Sequence, residues 1–140
     1  MVKYKTIDEH SNDLQVEVYG STLKQLFKNA NNCMFDNLGK VKHEFNKKRN
    51  ECIWTCNNID DDFILHSFLS ENLSYYYRKG IVRYVSSITK FVRDTATYTI
   101  HYFCDECKLN PAIEIKAVTW QGFKVIKNNG IFKVRIIFDT

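Results

Sequence analysis

The chain has 140 residues, 44% of them hydrophobic and 26% charged, with one proline and five glycines. Those proportions exclude a disordered tail, a collagen-like chain and a low-complexity linker, and the length suits a single domain over residues 1–140. Twenty Lys and Arg against sixteen Asp and Glu leave +4, which permits contact with RNA or an acidic partner without arguing for either.

Leu14, Val16 and Val18 alternate with polar or amphipathic neighbours, the pattern of a half-buried strand. Gly20-Ser21 interrupts it, with Ser21 placed to cap a helix. Leu23, Leu26, Phe27, Ala30, Cys33 and Met34 recur at helical spacing, which predicts a helix over 22–36. The Asn-rich stretch Asn29 to Asn32 and the Asn/Lys-rich stretch Asn46 to Asn50 read as solvated surface or loop. Cys52, Trp54 and Cys56 alternate with Ile53 and Thr55, suggesting a strand apolar on both faces.

Asn58 is placed to cap a second helix, and Asp60, Asp61 and Asp62 crowd its first turn, where the helix dipole favours negative charge. Leu65, Phe68, Leu69, Leu73 and Tyr76 form its apolar stripe, and Arg78, Lys79 and Gly80 are stop signals. After Gly80 the period becomes two, first over 81–92. Tyr98, Ile100, Tyr102 and Cys104 then share a strand face. Residues 113–119 read as extended. Residues 122–138 read as a hairpin around Asn129-Gly130, a dipeptide suited to positive φ at both central positions. Two helices cannot cover both faces of six or seven strands. The expected fold is α+β in two layers, with a mixed or mostly antiparallel sheet and both helices on one face.

No apolar run approaches ~20 residues, so a membrane span is not expected. The first residues lack the apolar core of a signal peptide. Five cysteines in such a chain read as reduced thiols in the cytoplasm or nucleus. A four-thiolate zinc site from Cys52, Cys56, Cys104 and Cys107 is disfavoured, because i and i+4 on a strand lie about 13 Å apart. Buried apolar thiols suit Cys52 and Cys56 better, whereas the Cys104/Cys107 pair has more freedom. His101 reads as a solvated or cross-strand residue. Tyr75, Tyr76 and Tyr77 have the composition of an RNA-stacking surface. Helical geometry lets at most two of them share a face, and core and rim packing suits them better.

The sequence has no phosphate-binding glycine loop, no nucleophile elbow and no H-E-x-x-H helix. Two acidic groups stand out. Asp8, Glu9, His10 and Asp13 precede the first alternating strand, while Asp139 and the carboxylate of Thr140 close the last. If those strand ends lie side by side, three or more oxygens converge in a Mg²⁺- or Ca²⁺-type site; otherwise they are ordinary strand-end carboxylates.

Glu9-His10-Ser11-Asn12-Asp13 followed by Leu14-Gln15-Val16 resembles the D-H-T-A-D opening of archease proteins. Glu114 to Gly122, with Lys116-Ala117 and Thr119-Trp120 at its centre, resembles their E-h-K-A-h-T-aromatic segment. Ile136 to Thr140 resembles their apolar ending with its penultimate Asp. Glu9, Ser11, Asn12 and Gln15 depart from the usual residues. The likeness covers essentially the whole chain.

The resemblance implies an accessory protein rather than a stand-alone enzyme. Its partner would be the tRNA-splicing RNA ligase, which joins a 2′,3′-cyclic phosphate or 3′-phosphate end to a 5′-hydroxyl through a histidine guanylated from GTP. The protein would promote that guanylation. The resemblance further implies Asp13, Asp139 and Thr140 as ligands of a divalent metal (Ca or Mg/Mn) and Lys116 as the functional lysine. His10 and Thr119 lie in the matching motifs. Any tRNA contact would be indirect, with no DNA or membrane partner. The alternatives are a direct RNA-binding module, a modulator of another tRNA-processing enzyme, or a metal-dependent hydrolase using the Asp13/Asp139 site.

Overall fold

The computed structural model describes residues 2–7, 13–43 and 49–140. Its elements are β1 (Tyr4–Thr6), β2 (Leu14–Gly20), α1 (Leu23–Leu38), β3 (Gly39–Lys42), β4 (Arg49–Cys56), α2 (Asp61–Lys79), β5 (Val82–Arg93), β6 (Tyr98–Pro111), β7 (Ala117–Val118), β8 (Val125–Asn128) and β9 (Ile131–Asp139). One sheet runs β1-β2-β9, and β7 and β8 share the far edge of β9. The other is built on β6, flanked by β3 and β4 on one edge and by β5 on the other. Every described ladder is antiparallel. The fold is α+β as expected, with more strands than the patterning reveals. The additions β1 and β3 span three and four residues, too few for an alternation to register.

The helices join the two sheets. α1 packs on β2 and β5, and α2 packs on α1, β5 and β7. Phe27, Phe35, Phe68 and Phe138 are fully buried between them, and Phe68 meets the rings of Trp54 and Tyr102 edge-on. Each such side chain contributes about 1.5–3 kcal/mol on burial.

Thr22, not Ser21, caps α1, its hydroxyl accepting from the Gln25 N–H. Asp60 rather than Asn58 caps α2; Asn58 instead accepts from the Asp60 N–H one step earlier. Gly80 ends α2 in the left-handed region at φ 68°, as the sequence signals. Asn129 and Gly130, at φ 52° and 77°, make the β8–β9 turn.

Two expectations fail in instructive ways. In β4 only Cys52, Trp54 and Cys56 face the core, while Ile53 on the other face is 64% exposed. Among the described residues, no element covers that side of the β4–β6 sheet. Asn29, Asn31 and Asn32 are buried inside α1, not solvated. Asn29 donates to the Tyr19 carbonyl, Asn31 to that of Arg83, and Asn32 to that of Val85 while accepting from the Val85 N–H. Asn72 of α2 donates to Asn31. Asn31 and Asn32 thus serve backbone groups of β5 beside the point where it departs from regular pairing between Val85 and Ser87. Of the second stretch, residues 46–48 lie outside the described residues, and Arg49-Asn50 opens β4.

Candidate functional site

Three strand ends meet at one edge of the five-stranded sheet. β2 and β9 pair with Leu14 opposite Phe138, so continuing that register sets Asp13 opposite Asp139. On the other side of β9, Ala117 pairs with Asp139 and Val118 with Phe138. The Lys116 N–H donates to the Asp139 carbonyl at 2.7 Å, and the Thr119 N–H to that of Ile137 at 3.0 Å. Strand alternation gives Asp13, Asp139 and Ala117 one sheet face, and Lys116 and Val118 the face toward α2. Backbone pairing therefore unites the acids with the lysine segment, while the lysine side chain belongs to a groove on the opposite face.

Next along the acidic face lie Gln15, Ile137 and Thr119. Gln15 and Ile137 are both buried. Arg135 donates to the Gln15 carboxamide oxygen. Among the described residues, Thr119 Oγ1 is buried without a hydrogen-bond partner, an uncommon state for a hydroxyl.

α2 holds the lysine segment at two points. The Tyr77 hydroxyl donates to the Ile115 carbonyl at 2.8 Å and accepts from the Ile115 N–H at 3.1 Å. His66 Nε2 lies 2.8 Å from the Val118 carbonyl; a carbonyl only accepts, so Nε2 carries the proton. The His66 ring stacks on Trp120 at 3.7 Å and 13° and meets Phe123 edge-on. Burial pushes the His66 pKa below its ordinary value, against the opposing effect of the Val118 hydrogen bond. Between these two fixings lies a groove of about 660 Å³ lined by α2 and by Lys116, Ala117, Val118 and Trp120. The first turn of α2 also anchors the hairpin, since Asp62 accepts from the Val125 N–H at 2.6 Å.

The profile of the Archease protein family (MTH1598/TM1083) matches residues 4–140. The chain belongs to the archease family. Among its relatives are proteins described as "Protein archease" from Methanosarcina mazei, 25% identical, and Methanosarcina acetivorans, 28% identical. Each alignment covers 98% of this chain and 95% of the relative. The fold is shared with Methanobacterium thermoautotrophicum protein 1598, at a TM-score of 0.77 and 20% identity over 99% of both chains. It is also shared with a Thermotoga maritima archease described as a possible chaperone, at 0.62 and 18% over 97% of both.

The family's motifs fall on the features just described. Asp13, Asp139, Lys116, Thr119 and Thr140 gather at the meeting of β2, β7 and β9, whereas His10 lies outside the described residues. The chemistry of the donors suits a hard cation, because cross-strand carboxylates repel unless a positive charge lies between them. Among the described residues, no three His, Cys, Asp or Glu side chains cluster as metal ligands.

The cysteines depart from part of the sequence reading. Cys104 and Cys107 are both buried, with less freedom than expected: the sulfur of Cys104 lies 3.4 Å from that of Cys52, and that of Cys107 lies 3.9 Å from His43 Nδ1. Tyr76 meets Phe35 and the Arg83 guanidinium lies over Tyr75, so these rings pack as expected. Sequence reasoning missed the role of Tyr77 and His66 in holding the lysine segment. Both lie on the stripe side of a helix, where a polar aromatic carries no distinguishing signal. Among the described residues, no helix is long and apolar enough to cross a membrane.

Proposed function

We infer that this chain is an accessory protein of the GTP-dependent tRNA-splicing RNA ligase, promoting guanylation of the ligase and so its repeated turnover. The carrying observation is the β2–β9 register, with Leu14 opposite Phe138, whose continuation would set Asp13 opposite Asp139, together with the Lys116 N–H on the Asp139 carbonyl. Two carboxylates at the end of a rigid sheet make a tip of concentrated negative charge. Antiparallel pairing fixes their spacing through backbone bonds, without help from the side chains.

Asp13 and Asp139 would hold a divalent cation, with the main-chain carboxylate of Thr140 as a further oxygen donor. Such an ion would neutralise charge on a nucleoside triphosphate in the partner's pocket. Lys116 would act as a positive charge on the opposite face of the same strand ends, its backbone position set by Asp139 on one side and by the Tyr77–Ile115 pair on the other. Nothing in this arrangement supplies a nucleophile with its base, which favours an accessory role over catalysis in its own right.

The test is guanylation of a purified cognate ligase with GTP and metal, with and without the protein. Wild type is expected to accelerate it, and the folded Asp139→Ala variant to leave it at the unassisted rate. Equal stimulation by both proteins would remove the acidic tip from the reading.

A further inference from the structure

The groove between α2 and the lysine segment has an organisation that the metal tip does not use. His66, Ser70, Ser74 and Arg78 are four residues apart and form one row along α2, about 18 Å long. Lys116, Ala117, Val118 and Trp120 form the other wall, and Leu73 lies in the floor. One end is aromatic and the other cationic. At the aromatic end, Trp120 stacks on His66 yet remains 51% exposed, so much of the indole stays open to solvent. Phe63 and Phe123 complete its support. At the cationic end lie Lys116 and Arg78, the only charged residues of the lining. Arg78 also contacts Glu71 at 3.5 Å, but that pair is exposed, so it costs little to exchange for another anion. The volume, about 660 Å³, lies within the range usual for ligand clefts.

We propose that this groove binds a short single-stranded RNA segment, with one base against the exposed part of the Trp120 indole and the adjoining phosphates between Lys116 and Arg78. Stacking on a rigidly backed aromatic is tolerant of base identity. A guanidinium and an ammonium on opposite walls suit two neighbouring phosphates. The Ser70 and Ser74 hydroxyls line the path between the two ends, where ribose hydroxyls would run. An acidic or phosphorylated peptide would use the cations but would need an aromatic, proline or arginine side chain at the matching spacing to use the indole, whereas every nucleotide brings a base. This proposal does not rest on the ligase reading. The guanylation assay contains no RNA, so either idea can fail while the other stands.

The experiment is fluorescence anisotropy of a labelled uridine hexanucleotide titrated with the wild-type protein, the W120L and R78Q variants and a remote charge control, K127Q. Saturable wild-type binding is expected. W120L and R78Q should each weaken it about tenfold, the usual scale for one stacked base or one charged contact, and K127Q should leave it unchanged. Two phosphates predict a slope of log K against log salt of about −1.4, or about sevenfold weaker binding from 50 to 200 mM salt. R78Q alters an exposed side chain, so its result stands even if W120L perturbs the local fold. Overturning results are no saturable wild-type binding, or R78Q binding like wild type. Equal weakening by K127Q, or a phosphoserine peptide that binds where the RNA does not, also overturns the proposal.

Discussion

The amides beneath α1 and the strand ends around Asp139 are both polar regions set against the same core. Beneath α1, Asn29, Asn31, Asn32 and Asn72 each have a protein partner at 2.8–2.9 Å, and Asn32 serves both polar groups of Val85. Around Asp139, the ends of β2, β7 and β9 meet, and the Thr119 hydroxyl is buried without a partner among the described residues. Satisfied polarity of the first kind fixes a unique packing of α1 on an irregular strand. A buried hydroxyl of the second kind, with no partner among the described residues, costs stability where it stands.

Removing a member of each region separates the two kinds most sharply. Asn32→Ala strips partners from the Val85 N–H and carbonyl together, and each buried orphan costs about 1–3 kcal/mol. A loss of about 3 kcal/mol is expected, read as a fall in the urea midpoint at unchanged m-value. Stimulation of ligase guanylation at low temperature, where the variant is folded, should persist. Thr119→Val should behave in the opposite sense. It keeps the shape and deletes an unpartnered hydroxyl, so stability should hold or rise by up to about 1 kcal/mol in the same titration. A destabilisation of Asn32→Ala below about 0.5 kcal/mol, or a clear loss on Thr119→Val, would dissolve the contrast.

Asp139→Asn should move stability less again. The side chain is exposed and the substitution relieves like-charge repulsion with Asp13, so a change within about 0.5 kcal/mol is expected without metal. With millimolar Ca²⁺ or Mn²⁺ the two proteins should part. Wild type gains thermal stability with rising metal concentration, while the variant does not. A variant whose melting temperature responds to metal as wild type does would place the cation elsewhere.

Much of this architecture was legible in the residues because it rests on local rules. The β2 alternation, the α1 and α2 stripes, the Gly80 stop and the Asn129-Gly130 turn are each specified within a few residues. The acids Asp13 and Asp139 stand out in the sequence as strand-end carboxylates, but nothing local says that their strands pair, because β2 and β9 lie at opposite ends of the chain. The amide network was not legible, because a buried Asn and a solvated Asn look identical until β5 bends away from its ladder. Likewise Tyr77 and His66 reveal their role only once α2 lies along Ile115 and Val118.

His66 offers the smallest effect and the finest view of how the lysine segment is held. Burial lowers its pKa in the fold below the value of about 6.5 expected for an unfolded chain. At neutral pH both states are uncharged and the residue is indifferent. As pH falls through the unfolded value, the unfolded chain binds a proton that the folded protein resists, so unfolding becomes easier. The stability contribution is present above about pH 6.5 and is lost progressively toward the lower folded value. His66→Gln keeps an N–H donor for the Val118 carbonyl but cannot titrate. Urea unfolding at about pH 7.5 and about pH 5, on either side of that value, should therefore show a larger acid-induced loss for wild type than for the variant. Equal losses would mean that the proton finds a compensating position against Trp120, and that the segment carrying Lys116 is held independently of the charge on its clasp.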